Sequence, residues 1–197
     1  FYMCGRFTIR NASAFKTQFG GAEIVPNFNA APGQKIAAMT DKLNYIKWGF
    51  TPFWADKPFN LVNARSETLS TKPSFENSTR CLIPADGWYE WKASGDKKIP
   101  FYHHLEGESF CFGGVYGGYR GEVGCAIITT QATDNLKELH DRMPFIIQRS
   151  LYKDWLQNKD MNFFDEALAK RIKFYPVSTY VNNPNHNDEN CIFEVLN

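Results

Sequence analysis

Short strand-like runs recur along this chain, most of them bounded by Gly, Pro, Asn or Asp, and this recurrence constrains the fold more than any other feature. They are Gly5 to Ile9, Leu43 to Phe50, Cys81 to Ile83, Trp88 to Trp91, Ile99 to Leu105, Ser109 to Tyr116, Val123 to Thr130, Phe145 to Gln148 and Ile172 to Ser178. Helical patterns are fewer, the best being Ala12 to Phe19, Leu136 to His140, Leu151 to Leu156 and Phe163 to Lys170. The pattern predicts an α+β, β-rich single domain over residues 1–197, with mainly antiparallel strands in a distorted barrel or sandwich and a few short helices. Asn182 to Asn190 is polar and contains a proline, and reads as a surface loop.

A chain of 197 residues can bury a substantial core as one domain. Hydrophobic residues at 43% and charged residues at 22% match ordinary soluble usage and argue against wholesale disorder. No apolar run is long enough to span a bilayer, so no membrane partner is expected. Neither the basic stretch nor the apolar core of a secretory signal opens the chain, and the expected location is the cytoplasm, with the nucleoid. Five cysteines, at 4, 81, 111, 125 and 191, are odd in number, scattered and never arranged as C-x-x-C. That spacing argues against a disulfide framework and a structural zinc site, and no metal or cofactor is expected. A net charge of +1 carries no general nucleic-acid signal, so a nucleic-acid partner would have to be held by a local basic groove.

Several segments carry residue types suited to chemistry. Met3-Cys4 would mature to an N-terminal cysteine if the residues before Cys4 were trimmed. Its amine, with a pKa of about 8, would be substantially neutral and able to attack an aldehyde. The thiol, already in place, could then close on the imine as a five-membered ring. A buried structural cysteine is the competing reading of Cys4. Asn63-Ala64-Arg65-Ser66-Glu67-Thr68 pairs a planar phosphate fork with a neutral amide suited to a sugar hydroxyl or aldehyde oxygen. The same stretch also reads as an Asn-capped turn with an Arg/Glu surface pair. In Trp88-Tyr89-Glu90-Trp91, which follows a turn at Pro84 to Gly87, period-2 alternation puts Trp88 and Glu90 on one face. A glutamate flanked by indole is hard to ionise and suited to proton transfer. His140, ahead of Pro144, is either a helix-end dipole partner or a general acid/base. His103 and His104 face opposite ways on one strand, which makes a poor metal pair. Trp48, Phe50, Phe53, Trp54 and Trp88, together with Arg6, Arg65, Arg80 and Arg142, offer stacking surfaces beside cations, with one or two of the aromatics expected to stack on bases.

In order, Cys4-Gly5-Arg6, Asn29-Ala30-Ala31-Pro32, Trp48-Gly49-Phe50, Asn63 to Thr68, Arg80 to Trp91 and His140-Asp141-Arg142-Met143-Pro144 resemble the SRAP (SOS-response-associated peptidase) family over nearly the whole chain. Pro176-Val177-Ser178 and Val181-Asn182 fit as well. The resemblance implies a SRAP-like fold with a basic cleft for single-stranded DNA, and a protein that acts as a monomer on DNA containing abasic sites. It implies a covalent thiazolidine between Cys4 and the aldehyde of an abasic deoxyribose, shielding the lesion, with lyase and self-cleaving peptidase side activities. The implied catalytic set is Cys4, Asn63 (sugar positioning), Glu90 (proton transfer) and His140 (ring opening and reversal). Arg6, Arg65, Arg80, Arg142, Trp48 and Trp54 are the DNA-binding candidates. Phe1 and Tyr2 stand ahead of Met3, where the family pattern begins, and the thiazolidine requires everything before Cys4 to be removed. Two other activities fit parts of the pattern: a cysteine hydrolase acting on peptides through Cys4, His140 and Asn63, and a non-covalent single-strand binding module.

Overall fold

The computed structural model describes residues 4–21 and 23–195, so the expected removal of Phe1, Tyr2 and Met3 lies outside the described residues. The first half of the chain forms β1 (Phe7–Ile9), β2 (Asn27–Ala30), β3 (Lys35–Met39), β4 (Leu43–Trp48), β5 (Asn63–Arg65), β6 (Thr79–Ala85) and β7 (Gly87–Ser94). The second half adds β8 (Lys97–His104), β9 (Phe110–Tyr119), β10 (Glu122–Gln131), β11 (Arg142–Pro144), β12 (Ile146–Ile147) and β13 (Lys173–Pro176). The α-helices are short: α1 (Tyr152–Leu156) and α2 (Glu166–Ala169). None of the described helices is long and apolar enough to cross a membrane.

Strands β10, β4, β3, β6 and β9 pair in that order, and β9 returns to β10, closing a five-stranded barrel. Closure removes the open edges that would otherwise invite intermolecular pairing. The β9–β10 hairpin turns through Arg120 and Gly121, both at positive φ, the conformation a two-residue loop needs to match strand twist. All barrel pairings are antiparallel except the β4–β10 seam. There the chain lies beside β10 at Lys47 and Trp48, leaves it, and rejoins it in parallel as β5, where Asn63, Ala64 and Arg65 face Ile127, Ile128 and Thr129. Phe50 and Leu61 close the intervening excursion by exchanging backbone hydrogen bonds of 2.8 and 2.7 Å.

A second, antiparallel sheet runs β13-β8-β7-β1-β2. The chain passes from the barrel to this sheet at Asp86, between β6 and β7, where the turn was expected. The buried Asp86 carboxylate fixes that corner, accepting from Thr8 Oγ1 at 2.5 Å, Arg10 N at 2.6 Å and Asn11 N at 2.8 Å. Alternation along β7 follows the expected period. Trp88 enters the core shared with the barrel, and Tyr89 enters a smaller cluster with Tyr102, Val177 and Val181 on the other face.

Two expectations need correction. Leu136 to His140 is a series of turns, because a segment this short gains too few bonds to offset helix nucleation. The longer run Ala12 to Phe19 contracts to a 3-10 turn at Ala12–Phe15. Strands β2, β3, β5 and β11 escape a reading by pattern, since their Asn, Ala, Lys and Arg have low strand propensity and are held by pairing with distant partners.

Candidate active site and nucleic-acid interface

The β1–β7 pairing, extended backwards, carries Cys4 to the middle of β7. Arg6 O accepts from Tyr89 N at 3.0 Å, and Cys4 N donates to Glu90 Oε1 at 2.9 Å. Cys4 has φ +44, an uncommon value for a side chain with a Cβ, and it is fully buried. Burial pushes its thiol well above the ordinary value, and the neighbouring Glu90 adds to the rise. Burial also pushes Glu90 up to about 8, against the bond from Cys4 N, with the charge of Asp141 adding to the rise. The indole-flanked glutamate is therefore as dry as the alternation implied. Beside it, Trp88 stacks on the buried His103 at 4.7 Å between centroids, and burial takes His103 down to about 3. His104 lies on the opposite face against Tyr102, so the two histidines are not a metal pair.

The far end of β10 supplies the other part of the site. Strand β5 runs along one side of it and β11 pairs with it antiparallel, so that Thr129 faces Arg65 and Gln131 faces Arg142. Arg65, Gln131, Lys137, Asp141 and Arg142 line a groove of about 470 Å³. At the start of β5, the buried Asn63 Nδ2 has no hydrogen-bond partner among the described residues. An unpaired buried amide costs free energy and is available to an oxygen of a bound molecule. His140 is partly exposed; its Nδ1 accepts from Arg142 N at 3.0 Å and lies 2.9 Å from Asp141 Oδ1. Among the described residues its Nε2 has no protein partner, and no hydrogen bond joins Cys4 to His140.

The cations and aromatics proposed for DNA fall into separate groups. Arg65 is exposed and lines the groove. Arg142 lines it too, but its guanidinium is largely committed: two bonds go to Glu67, at 2.6 and 3.0 Å, and Nη2 donates to Thr129 O at 2.7 Å. Glu67, held below its usual range chiefly by that hydrogen bond, thus pairs with Arg142 instead of the adjacent Arg65. Arg6 Nη1 donates to Asn29 Oδ1 and Val181 O, both at 2.8 Å, and Nη2 donates to Asn182 O at 3.1 Å. Arg80 lies over the Trp155 ring at 4.4 Å and lines a different groove. Trp48, expected as a stacking surface, is corrected: it is 0% exposed, donates from Nε1 to Val62 O at 2.8 Å and packs edge-on against Phe7. With both ring faces in the core it cannot stack on a base. Phe50 and Trp88 are buried as well, which leaves Phe53 and Trp54, 63% and 48% exposed on the excursion before β5.

The reading from sequence missed Phe59, exposed and edge-on to Trp54 at 5.5 Å, and the groove residues Gln131 and Lys137. An aromatic at Phe59, five residues from Trp54 in the stretch ahead of Asn63, was the available signal for the first; nothing local marks the other two.

Comparison with known proteins finds relatives of this chain. A family model described as SOS response associated peptidase (SRAP) matches residues 3–184. The abasic site processing protein YoaM of Bacillus subtilis (strain 168) is 36% identical over 216 residues, covering 94% of this chain and 95% of that protein. The abasic site processing protein YedK of Escherichia coli (strain K12) is 31% identical over 182 residues, covering 82% and 81%. A crystal structure of a protein from Bacteroides thetaiotaomicron superposes with a TM-score of 0.79 at 22% identity, over 98% of this chain and 100% of that one, a likeness of fold alone.

Proposed function

The chain belongs to the SOS response associated peptidase family, and from that membership we propose that it processes abasic sites by capturing them covalently through Cys4 in single-stranded DNA. The observation that carries this reading is the 2.9 Å contact between Cys4 N and Glu90 Oε1, which aims the reacting nitrogen at a buried proton carrier. Once the residues before Cys4 are removed, the free amine attacks the aldehyde carbon of the ring-opened deoxyribose. Loss of one water gives the imine. The Cys4 thiol then adds to the imine carbon, its proton passes to nitrogen, and the thiazolidine ring closes. Glu90, buried and within hydrogen-bond reach of the reacting nitrogen, moves the protons. Asn63 Nδ2, unpaired among the described residues, holds a sugar or aldehyde oxygen. His140, through Nε2, assists ring opening and reversal.

Arg65 takes a flanking phosphate, and Phe53 and Trp54 offer faces for unpaired bases. The same imine permits strand cleavage by β-elimination, a lyase side reaction. The family name also suggests the self-cleavage that would expose Cys4, whose positive φ puts strain next to the bond to be cut. We place the activity in the cytoplasm, on DNA, in a monomeric single-domain protein. A peptide hydrolase is the weaker reading: among the described residues no hydrogen bond links the Cys4 thiol to a histidine that could take its proton.

The test mixes purified protein with an oligonucleotide carrying one abasic site, follows a heat-stable shift on a denaturing gel, and reads the N-terminus by intact mass. Protein beginning at Cys4 should give the shifted band and Cys4→Ala should give none. No band from protein shown to begin at Cys4 would overturn the reading.

A further inference from the structure

A groove of about 1110 Å³ opens on the barrel between the Thr40–Lys42 turn, the first residues of β6 and helix α1. It is remote from the candidate active site. Tyr116, which lines it, pairs with Cys125 of β10, and from Cys125 to the site at Gln131 the strand runs six residues, about 20 Å. Met39, Leu43 and Leu156 supply apolar lining. Lys42, Arg80, Arg149 and Lys153 supply four cations against one carboxylate, Asp41, whose Oδ1 already accepts from Thr40 Oγ1 at 2.7 Å. In a chain with 22 basic and 21 acidic residues this is a local excess, not a reflection of composition. Arg149 and Lys153 are exposed and form no ion pair among the described residues. Arg80 is pre-oriented, lying on Trp155 and donating from Nη1 to Lys159 O at 3.0 Å. Lys153 and Leu156, three apart on α1, present a cation and an aliphatic group to the same groove.

We propose that this groove docks an acidic, amphipathic peptide segment of a partner protein, its carboxylates on the cationic rim and its aliphatic or aromatic side chains on the apolar lining. Nucleic acid fits less well. It has phosphates for the rim but nothing aliphatic to set against Met39, Leu43 and Leu156; of the lining rings Tyr152 is 6% exposed, and the half-buried Phe19 already stacks on Phe15 at 5.3 Å, which leaves the half-buried Tyr116 for a base. A rim of this kind steers an anionic partner and makes its binding fall with salt.

The experiment measures fluorescence anisotropy of a short labelled peptide in which Leu and Phe recur at helical spacing between Asp and Glu. The comparisons are the same peptide with Asn and Gln in place of the acids, and a labelled oligothymidylate. The full chain is used, as wild type and as Lys42→Glu/Arg149→Glu/Lys153→Glu. These side chains are exposed, so the variant should fold, and abasic-DNA cross-linking, assigned to other residues, serves as the control for intactness. Saturable binding of the acidic peptide, weakened about tenfold or more by the triple substitution and by added salt, is the expected result. Equal binding of the amide peptide, or an unchanged affinity in the triple variant, would overturn it. Failure of the acidic peptide to bind would do the same, and oligothymidylate binding that depends on the three cations without peptide binding would reassign the groove to nucleic acid.

Discussion

Burial holds Glu90 protonated up to about pH 8 while its Oε1 accepts from Cys4 N, so the titration of this one side chain shapes the stability of the uncleaved chain. From the ordinary value of 4.5 up to about 8, the native state binds the proton more tightly than the unfolded chain does. Stability from this group is therefore fully present below the unfolded value and is lost as pH rises toward the folded one, by up to about 5 kcal/mol over the whole window. Glu90→Gln keeps an acceptor oxygen for Cys4 N and removes the titration. Melting temperatures of wild type and variant should nearly coincide at about pH 4 and separate as pH rises to about 8, with the variant the more stable. Parallel curves would mean that Glu90 ionises as an ordinary carboxyl. The difficulty of ionising Glu90 was legible in sequence, because large aromatics on both sides of it along β7 make an exposed strand costly, and Glu90 is 5% exposed.

At the scale of elements, the β4–β10 seam closes the barrel and decides where the exposed aromatics go. A Cβ on Gly124 would lie 2.4 Å from Gly49 O, and neither strand can yield there because Gly49 N donates to Cys125 O at 2.9 Å. Gly124→Ala should cost about 3 kcal/mol and lower the urea midpoint without changing the slope. A neutral or stabilising result would show that the seam is looser than its geometry. Closing this seam also turns the chain out into the excursion that presents Phe53 and Trp54, then back into β5 with Asn63 leading. The β7, β8, β9 and β10 runs were readable because their alternation is local. The seam was not, since a parallel pairing between segments about 80 positions apart leaves no mark on either one.

At the scale of the molecule, Arg6 and Asn29 bind the two ends of the chain together. Asn29 is 1% exposed; its Oδ1 takes Arg6, and its Nδ2 faces the carbonyls of Val181, Asn183 and His186 at 3.1, 3.0 and 2.9 Å. The segment expected as a polar surface loop is thus strapped over β2 and over Arg6, two residues from Cys4. Asn29→Ala removes the buried amide that joins Arg6 to those three carbonyls, leaving Arg6 only its bonds to Val181 O and Asn182 O, and should cost about 3 kcal/mol, with amide hydrogen exchange accelerating first in residues 179–191. Global destabilisation with no local acceleration there would show that the strap is held by something else. By itself the sequence determined what neighbours along the chain decide: the strand-rich architecture, the corner at Asp86, the two faces of β7, and, through motifs in register, the family. Tertiary structure alone decided that Trp48 is core and that the arginines part ways. A long guanidinium takes whatever acceptor the fold brings near, and the partners of Arg142, Arg80 and Arg6 lie 75, 79 and 176 positions away.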